Sequence, residues 1–167
     1  MNPQHIAPFI SSVKNVFQTM LQLDVAVGDP IIINGQSRDK DVSGIIGMTG
    51  DVEGVVVLSF DFETAISTVS LFCGEPVERD SEDFSDAVGE LCNMVCGGAK
   101  AGFPDNESVS ISCPSVVIGS GHNVNRPADV PAVAVPCTTD CGEFVIEIAV
   151  RSSAGAVASD DAGAVAA

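Results

Sequence analysis

Tryptophan and tyrosine are absent from this 167-residue chain, and eight phenylalanines are its whole aromatic content apart from two histidines. A core without indole or phenol rings has to be filled by Val, Ile, Leu, Ala and Phe, with cysteine as a small apolar filler. Basic residues are scarce too: seven Lys and Arg stand against 23 Asp and Glu, a formal net charge of −16. Nucleic acids and anionic membrane surfaces are bound through clustered Lys and Arg, so this balance argues against both as partners. A solvated acidic exterior is the plain reading of the charge. Long apolar runs are also missing. The first candidate, Ile6 to Val27, is broken by Ser11, Ser12, Lys14, Asn15, Gln18 and Gln22, which makes it amphipathic and unlike a signal peptide or a membrane span. The expectation is a cytoplasmic protein. Its six cysteines (Cys73, Cys92, Cys96, Cys113, Cys137, Cys141) are then expected as thiols, not as a disulfide framework.

The length suits one domain with a real core, expected over residues 1–151. From Ser152 to Ala167 the sequence is small and repetitive, and nothing in it is large enough to offset the entropy of ordering, so a disordered tail is expected. Met1 to Asp24 predicts a helix, because Ile6, Phe9, Ile10, Val13, Phe17, Met20 and Leu21 recur at three- and four-residue spacing. Strands are expected at 30–34, 43–49 and 52–60, the last two joined by a Gly50-Asp51 hairpin. Asp61 is placed to cap a helix to Phe72, ended by Gly74-Glu75-Pro76. Asp80 and Ser81 open a second long helix reaching about Ala101, with Glu82 and Asp83 where the helix dipole favours acids. Further strands follow at 108–113, 115–118, 132–138 and 143–151.

Internal similarity adds to this outline. Phe9 to Val13 can be laid on Phe84 to Val88, Pro30 to Gly35 on Pro114 to Gly119, and Met48 to Val57 on Cys137 to Ile146. Three matches in one order suggest two related halves, each a helix followed by strands and a hairpin, although short apolar strands resemble one another easily. The fold class is α+β, with long helices packed on a largely antiparallel sheet.

Chemistry concentrates between Asp86 and Gly97. At about 100° per residue, Asp86, Glu90, Asn93 and Gly97 share one narrow stripe of the helix, while Phe84, Val88, Leu91, Val95 and Ala99 share the opposite face. Physics alone allows such a stripe to be an ordinary solvated face. The pattern Asp-x3-Glu-x2-Asn-x3-Gly, followed by Gly98-Ala99-Lys100, resembles the signature of the CheC/CheX/FliY phosphatases, which remove the phosphoryl group from the aspartate of CheY-type response regulators. The likeness extends over roughly residues 3–151. It takes in the first helix, the hairpin leading to Leu58-Ser59-Phe60, the Pro114–Gly119 segment and the closing 142–147 stretch.

The resemblance implies that Asn93 enters the regulator's site to orient the attacking water, that Glu90 pairs with the regulator's lysine, and that Asp86 and Gly97 support the contact. It implies no cofactor of the chain's own, since the phosphorylated receiver domain brings Mg2+ and the lysine. At the matching places in the first helix stand Ser11, Asn15 and Gln18, so the resemblance implies one active site per chain, as in the CheX-like members, which are typically homodimers joined through their sheets. A non-catalytic adaptor that binds a response regulator or a motor-switch component is the alternative. Metal binding by Cys92 and Cys96 with Cys137 and Cys141 lacks the tight knuckle spacing zinc prefers, and cysteine catalysis lacks a nearby base. Gly119-Ser120-Gly121-His122 follows a strand without opening a helix, so it reads as a surface turn and not as a phosphate loop.

Overall fold

The computed structural model describes residues 3–34, 40–105, 107–126 and 129–153. In chain order these form a 3-10 turn (Pro3–His5), α1 (Ala7–Val16), a π-helical turn (Phe17–Leu21), β1 (Ala26–Val27), β2 (Ile31–Ile33), β3 (Val42–Gly50) and β4 (Val52–Phe60). Then come α2 (Phe62–Cys73), α3 (Glu82–Lys100), β5 (Val109–Ile111), β6 (Ser115–Ile118), β7 (Ala132–Thr139) and β8 (Gly142–Ser152). Residues 154–167, most of the expected disordered tail, lie outside the described residues.

One antiparallel sheet runs in the order β1-β7-β8-β4-β3-β5, with β2 also on β7 and β6 also on β3. Its centre is the β4–β8 pairing, nine residues long from Val52↔Ser152 to Phe60↔Phe144. The two hairpins, β3–β4 and β7–β8, therefore stand side by side. Each receives a short strand from the other half: β2 lies on β7, and β6 on β3. This exchange repeats the element order of the two related halves expected from the sequence. Gly50, at φ +116°, turns the first hairpin, and the Asp51 carboxylate accepts the Ser108 N–H at 2.7 Å.

All three α-helices belong to one layer. α1 lies against α3, where Ser12 Oγ donates to the Val95 carbonyl at 2.7 Å. Gly98 lets the two helices approach, since a Cβ there would overlap the Ser12 hydroxyl. At the end of the first helix Phe17 stacks on Phe144, ring centroids 4.8 Å apart, and Phe144 stacks on Phe60 at 5.2 Å. Three phenylalanines thus bind the helix layer to the central strands, as the lack of larger aromatics requires.

The far face of the sheet is also covered. Along β8 every residue from Phe144 to Val150 is buried, Phe144, Ile146 and Ile148 toward the helices and Ala149 in a second cluster with Val130 and Ala132. Residues 119–126 and 129–131, between β6 and β7, provide the cover and are held by polar ties. His122 Nε2 meets Ser43 Oγ at 2.8 Å, Arg126 pairs with Glu147 at 3.2 Å, and Arg151 bridges Glu53 and Asp129. Glu147, in the middle of an apolar strand, is only 2% exposed.

Two local expectations differ from what forms. The first helix changes to a π turn at Phe17 and stops at Gln22, a left-handed residue at φ +55°, two residues short of Asp24. Asp61 occupies the N-cap position of α2 without capping it: its carboxylate takes Lys40 Nζ at 2.7 Å, and Asp41 accepts the Phe62 N–H instead. The Ser120 hydroxyl, with that contact, holds the Asp41 carboxyl below its ordinary range. The two-residue β1 carries no alternation long enough to be read in advance.

Candidate functional site

α3 begins where Ser81 Oγ accepts the Phe84 N–H at 3.2 Å, with Glu82 and Asp83 in the first turn and Lys100 in the last. Each end therefore carries the charge that the helix dipole favours. Phe84, Val88, Leu91, Val95 and Ala99 are buried against the sheet as expected, together with Cys92 and Cys96. Gly44 of β3 lets the helix come down closely, because a Cβ there would stand 3.0 Å from Cys92 Cβ.

The opposite face is open. Asp86 and Glu90 are exposed, and Asn93 and Gly97 half-buried. The stripe they form is about 16 Å long at 1.5 Å per residue, and Glu90 and Asn93 are i, i+3 neighbours with Cβ atoms about 5–6 Å apart. Neither side chain has a hydrogen-bond or ion-pair partner among the described residues. Apart from its own neighbours and the helix backbone, no described residue has an atom within 4 Å of where a Gly97 Cβ would be. Gly89, beside Glu90, is buried beneath Pro114 and Val116. The site thus has one open end, at Asn93 and Gly97, and one walled end, at Asp86 and Glu90.

Two shallow grooves flank the walled end. One, about 590 Å³, runs between Asp86–Glu90 and the Pro114–Val116 edge. The other, about 430 Å³, lies between the same carboxylates and Phe72, Cys73, Glu75 and Val77 at the end of α2. Sequence reasoning missed these walls, since residues 72–77 and 114–116 reach α3 only through the fold. Ser11 and Asn15 on α1 and Gln18 in the π turn after it are exposed, and a separate cleft of about 690 Å³ containing Ser11 and Asn15 opens between α1 and the end of α3.

All six cysteines are free thiols. Cys92, Cys96 and Cys137 are buried, Cys141 is half-buried, and Cys73 and Cys113 are exposed. Burial pushes the Cys137 thiol up to about 12, far from the thiolate a nucleophile needs. No three His, Cys, Asp or Glu side chains converge on a metal position among the described residues. The Gly119–His122 segment forms a turn, with His122 Nδ1 at 2.6 Å from the Gly119 carbonyl and Ser120 donating to Asp41.

A family model described as "Chemotaxis phosphatase CheX" matches residues 42–138, from β3 through α3 into β7. The chain belongs to the CheX family. The CheY-P phosphatase CheX of Thermotoga maritima is 28% identical over 121 residues, 71% of this chain and 78% of that protein. A CheC-like superfamily protein from Shewanella sp. PV-4 superposes with a TM-score of 0.83 at 32% identity, over 91% of this chain and 100% of its own. The CheX of a CheX–CheY–BeF3–Mg2+ complex from Borrelia burgdorferi superposes at 0.74 with 26% identity, over 89% of this chain and 98% of that one. No described helix of this CheX-family chain is long and apolar enough to cross a membrane.

Proposed function

We propose that this chain stimulates hydrolysis of the aspartyl phosphate on a CheY-type receiver domain, with Asn93 positioning the water and Glu90 docking the partner. The observation that carries the reading is the free pair itself: Glu90 and Asn93 are neighbours on an open stripe, without partners of their own. The relative from Borrelia burgdorferi, found in complex with CheY, supports the same class of partner.

An aspartyl phosphate is an activated acyl phosphate. Water attacks phosphorus, the P–O bond to the aspartate breaks, and the receiver regains its carboxylate. The receiver brings Mg2+ and a lysine to balance the charge, so this chain has to supply chiefly position. The Asn93 carboxamide has an acceptor oxygen and a donor nitrogen, enough to fix one water in line. The Glu90 carboxylate, one helical turn away, pairs with the receiver's lysine. Asp86 and Gly97 extend the contact at either end, one with charge and the other by leaving room.

Glu90→Ala is expected to act mainly on docking. Loss of a charge-assisted hydrogen bond costs about 1.5–3 kcal/mol, so KM for the phosphorylated receiver rises roughly ten- to a hundredfold while kcat changes less. A steady-state phosphate-release assay reads this, and an unchanged KM would remove Glu90 from the interface. Binding without any acceleration of phosphate release in the wild-type protein would favour the adaptor.

The same proposal includes a homodimer joined through the sheets, with one site per chain. Ile32 on the edge strand β2 is 70% exposed and Ile31 42%, an apolar edge that calls for cover. Sedimentation velocity at micromolar concentration is expected to give a dimer, and Ile32→Lys a monomer; a wild-type monomer would refute this part.

A further inference from the structure

The residue before Glu90 has no side chain, and an edge strand comes in over it. A Cβ on Gly89 would stand 3.3 Å from Pro114 Cγ and 3.4 Å from Val116 Cγ2. Helix and strand edge are therefore as close as packing allows, and the groove beside them is walled by Asp86 and Glu90 on one side and Pro114 and Val116 on the other. Pro114 and Ser115 are exposed, and among the described residues β6 pairs only with β3. Neither carboxylate has a cationic partner among the described residues.

The other half of the chain offers an internal comparison. In the match that lays Ser11 on Asp86 and Asn15 on Glu90, Lys14 falls on Gly89 and Pro30 on Pro114. Lys14 is exposed. The half without the motif thus carries a long cationic side chain where the half with it carries none, and it lacks both carboxylates. Beside the motif, the Gly89 contact and the two carboxylates occur together.

We propose that this groove is a specificity-determining subsite that seats a basic side chain of the receiver domain, with Asp86 as its charge partner and Pro114 and Val116 against its aliphatic stem. The inference rests on the phosphatase reading of the same helix. Lys and Arg lay their methylene stems along apolar surface while the charged head finds a carboxylate, and a wall of each kind faces this groove. With a net charge of −16 the chain gains little long-range attraction for an acidic partner, so recognition depends on such local matches.

The test places charge on the exposed wall, where the fold is not at risk. Pro114→Lys and Pro114→Glu in the full-length chain are titrated with a CheY-type receiver from the same organism, loaded with beryllofluoride and Mg2+, and assayed for phosphate release from the phosphorylated receiver. Pro114→Lys is expected to raise both Kd and KM about tenfold with kcat at saturation unchanged, because the new cation repels the incoming one and competes for Asp86. Pro114→Glu is expected to leave Kd equal or lower. An unchanged Kd in Pro114→Lys, or equal weakening by both variants, would overturn the subsite. If the wild-type protein binds the loaded receiver but releases no phosphate, the phosphatase reading fails while the Kd series still decides the groove.

Discussion

Asn93→Ala is expected to reduce stimulated phosphate release by about a hundredfold or more, to the receiver's own rate, with the fold unchanged. A hundredfold corresponds to about 2.7 kcal/mol of barrier, within reach of one well-held water. The fold should tolerate the change, because Asn93 is half-buried, makes no side-chain bond among the described residues, and lies opposite the packed face of α3. Alanine is also a better helix former than asparagine, by a few tenths of a kcal/mol, so the melting temperature should hold or rise slightly. Docking through Glu90 remains, and the variant is therefore expected to bind the phosphorylated receiver and protect it from the wild-type protein in a mixed assay. The comparison with Asn93→Gln is informative. The longer carboxamide keeps both polar atoms but moves them by one methylene, as Gln18 does on the first helix, and it should recover little of the rate. Wild-type turnover by Asn93→Ala would end the assignment.

Glu147→Ala is expected to have the largest effect on stability, about 3–5 kcal/mol, read as a shift of the urea midpoint. Glu147 and Arg126 face each other at 3.2 Å with side chains 2% and 6% exposed. Removing the carboxylate leaves a guanidinium under the segment that covers the far face of the sheet, where water cannot easily replace the lost partner. Losing one member of a buried pair is costly even where the intact pair adds little net stability, because the remaining charge keeps its desolvation penalty. Double replacement by apolar residues of similar volume should therefore recover much of the loss. The change is remote from the exposed face of α3, so the folded fraction should still turn over phosphorylated receiver normally. A loss under about 1 kcal/mol in Glu147→Ala would mean that the cover segment swings away and lets water in.

Much of the site was legible before the fold. Ser81, the acidic first turn and the apolar positions of α3 identify that helix, and helical geometry then places Asp86, Glu90, Asn93 and Gly97 together whatever the helix packs against. The β3–β4 hairpin was legible for a similar reason: alternation and a Gly-Asp turn are local signals. Asp61 was misread, and the cover over Gly89 was not legible, because both depend on neighbours distant in sequence. Lys40 draws the Asp61 carboxylate away from the helix end, and Pro114 and Val116 close over Gly89. Gln22 shows the limit at short range, since no glycine marked the left-handed stop of the first helix.

By itself the sequence determined the helices, the two hairpins, the polar stripe and the likeness of the halves, all of which rest on spacing along one stretch of chain. Only the tertiary structure decided that β2 and β6 cross to the opposite hairpins, that Glu147 is buried against Arg126, and that Asp86 and Glu90 form one wall of a groove. Those outcomes depend on which residues meet after residues 89 and 114, or 126 and 147, are brought together. The energies concerned, of close packing and of burying charge, exist only between surfaces that folding has already joined.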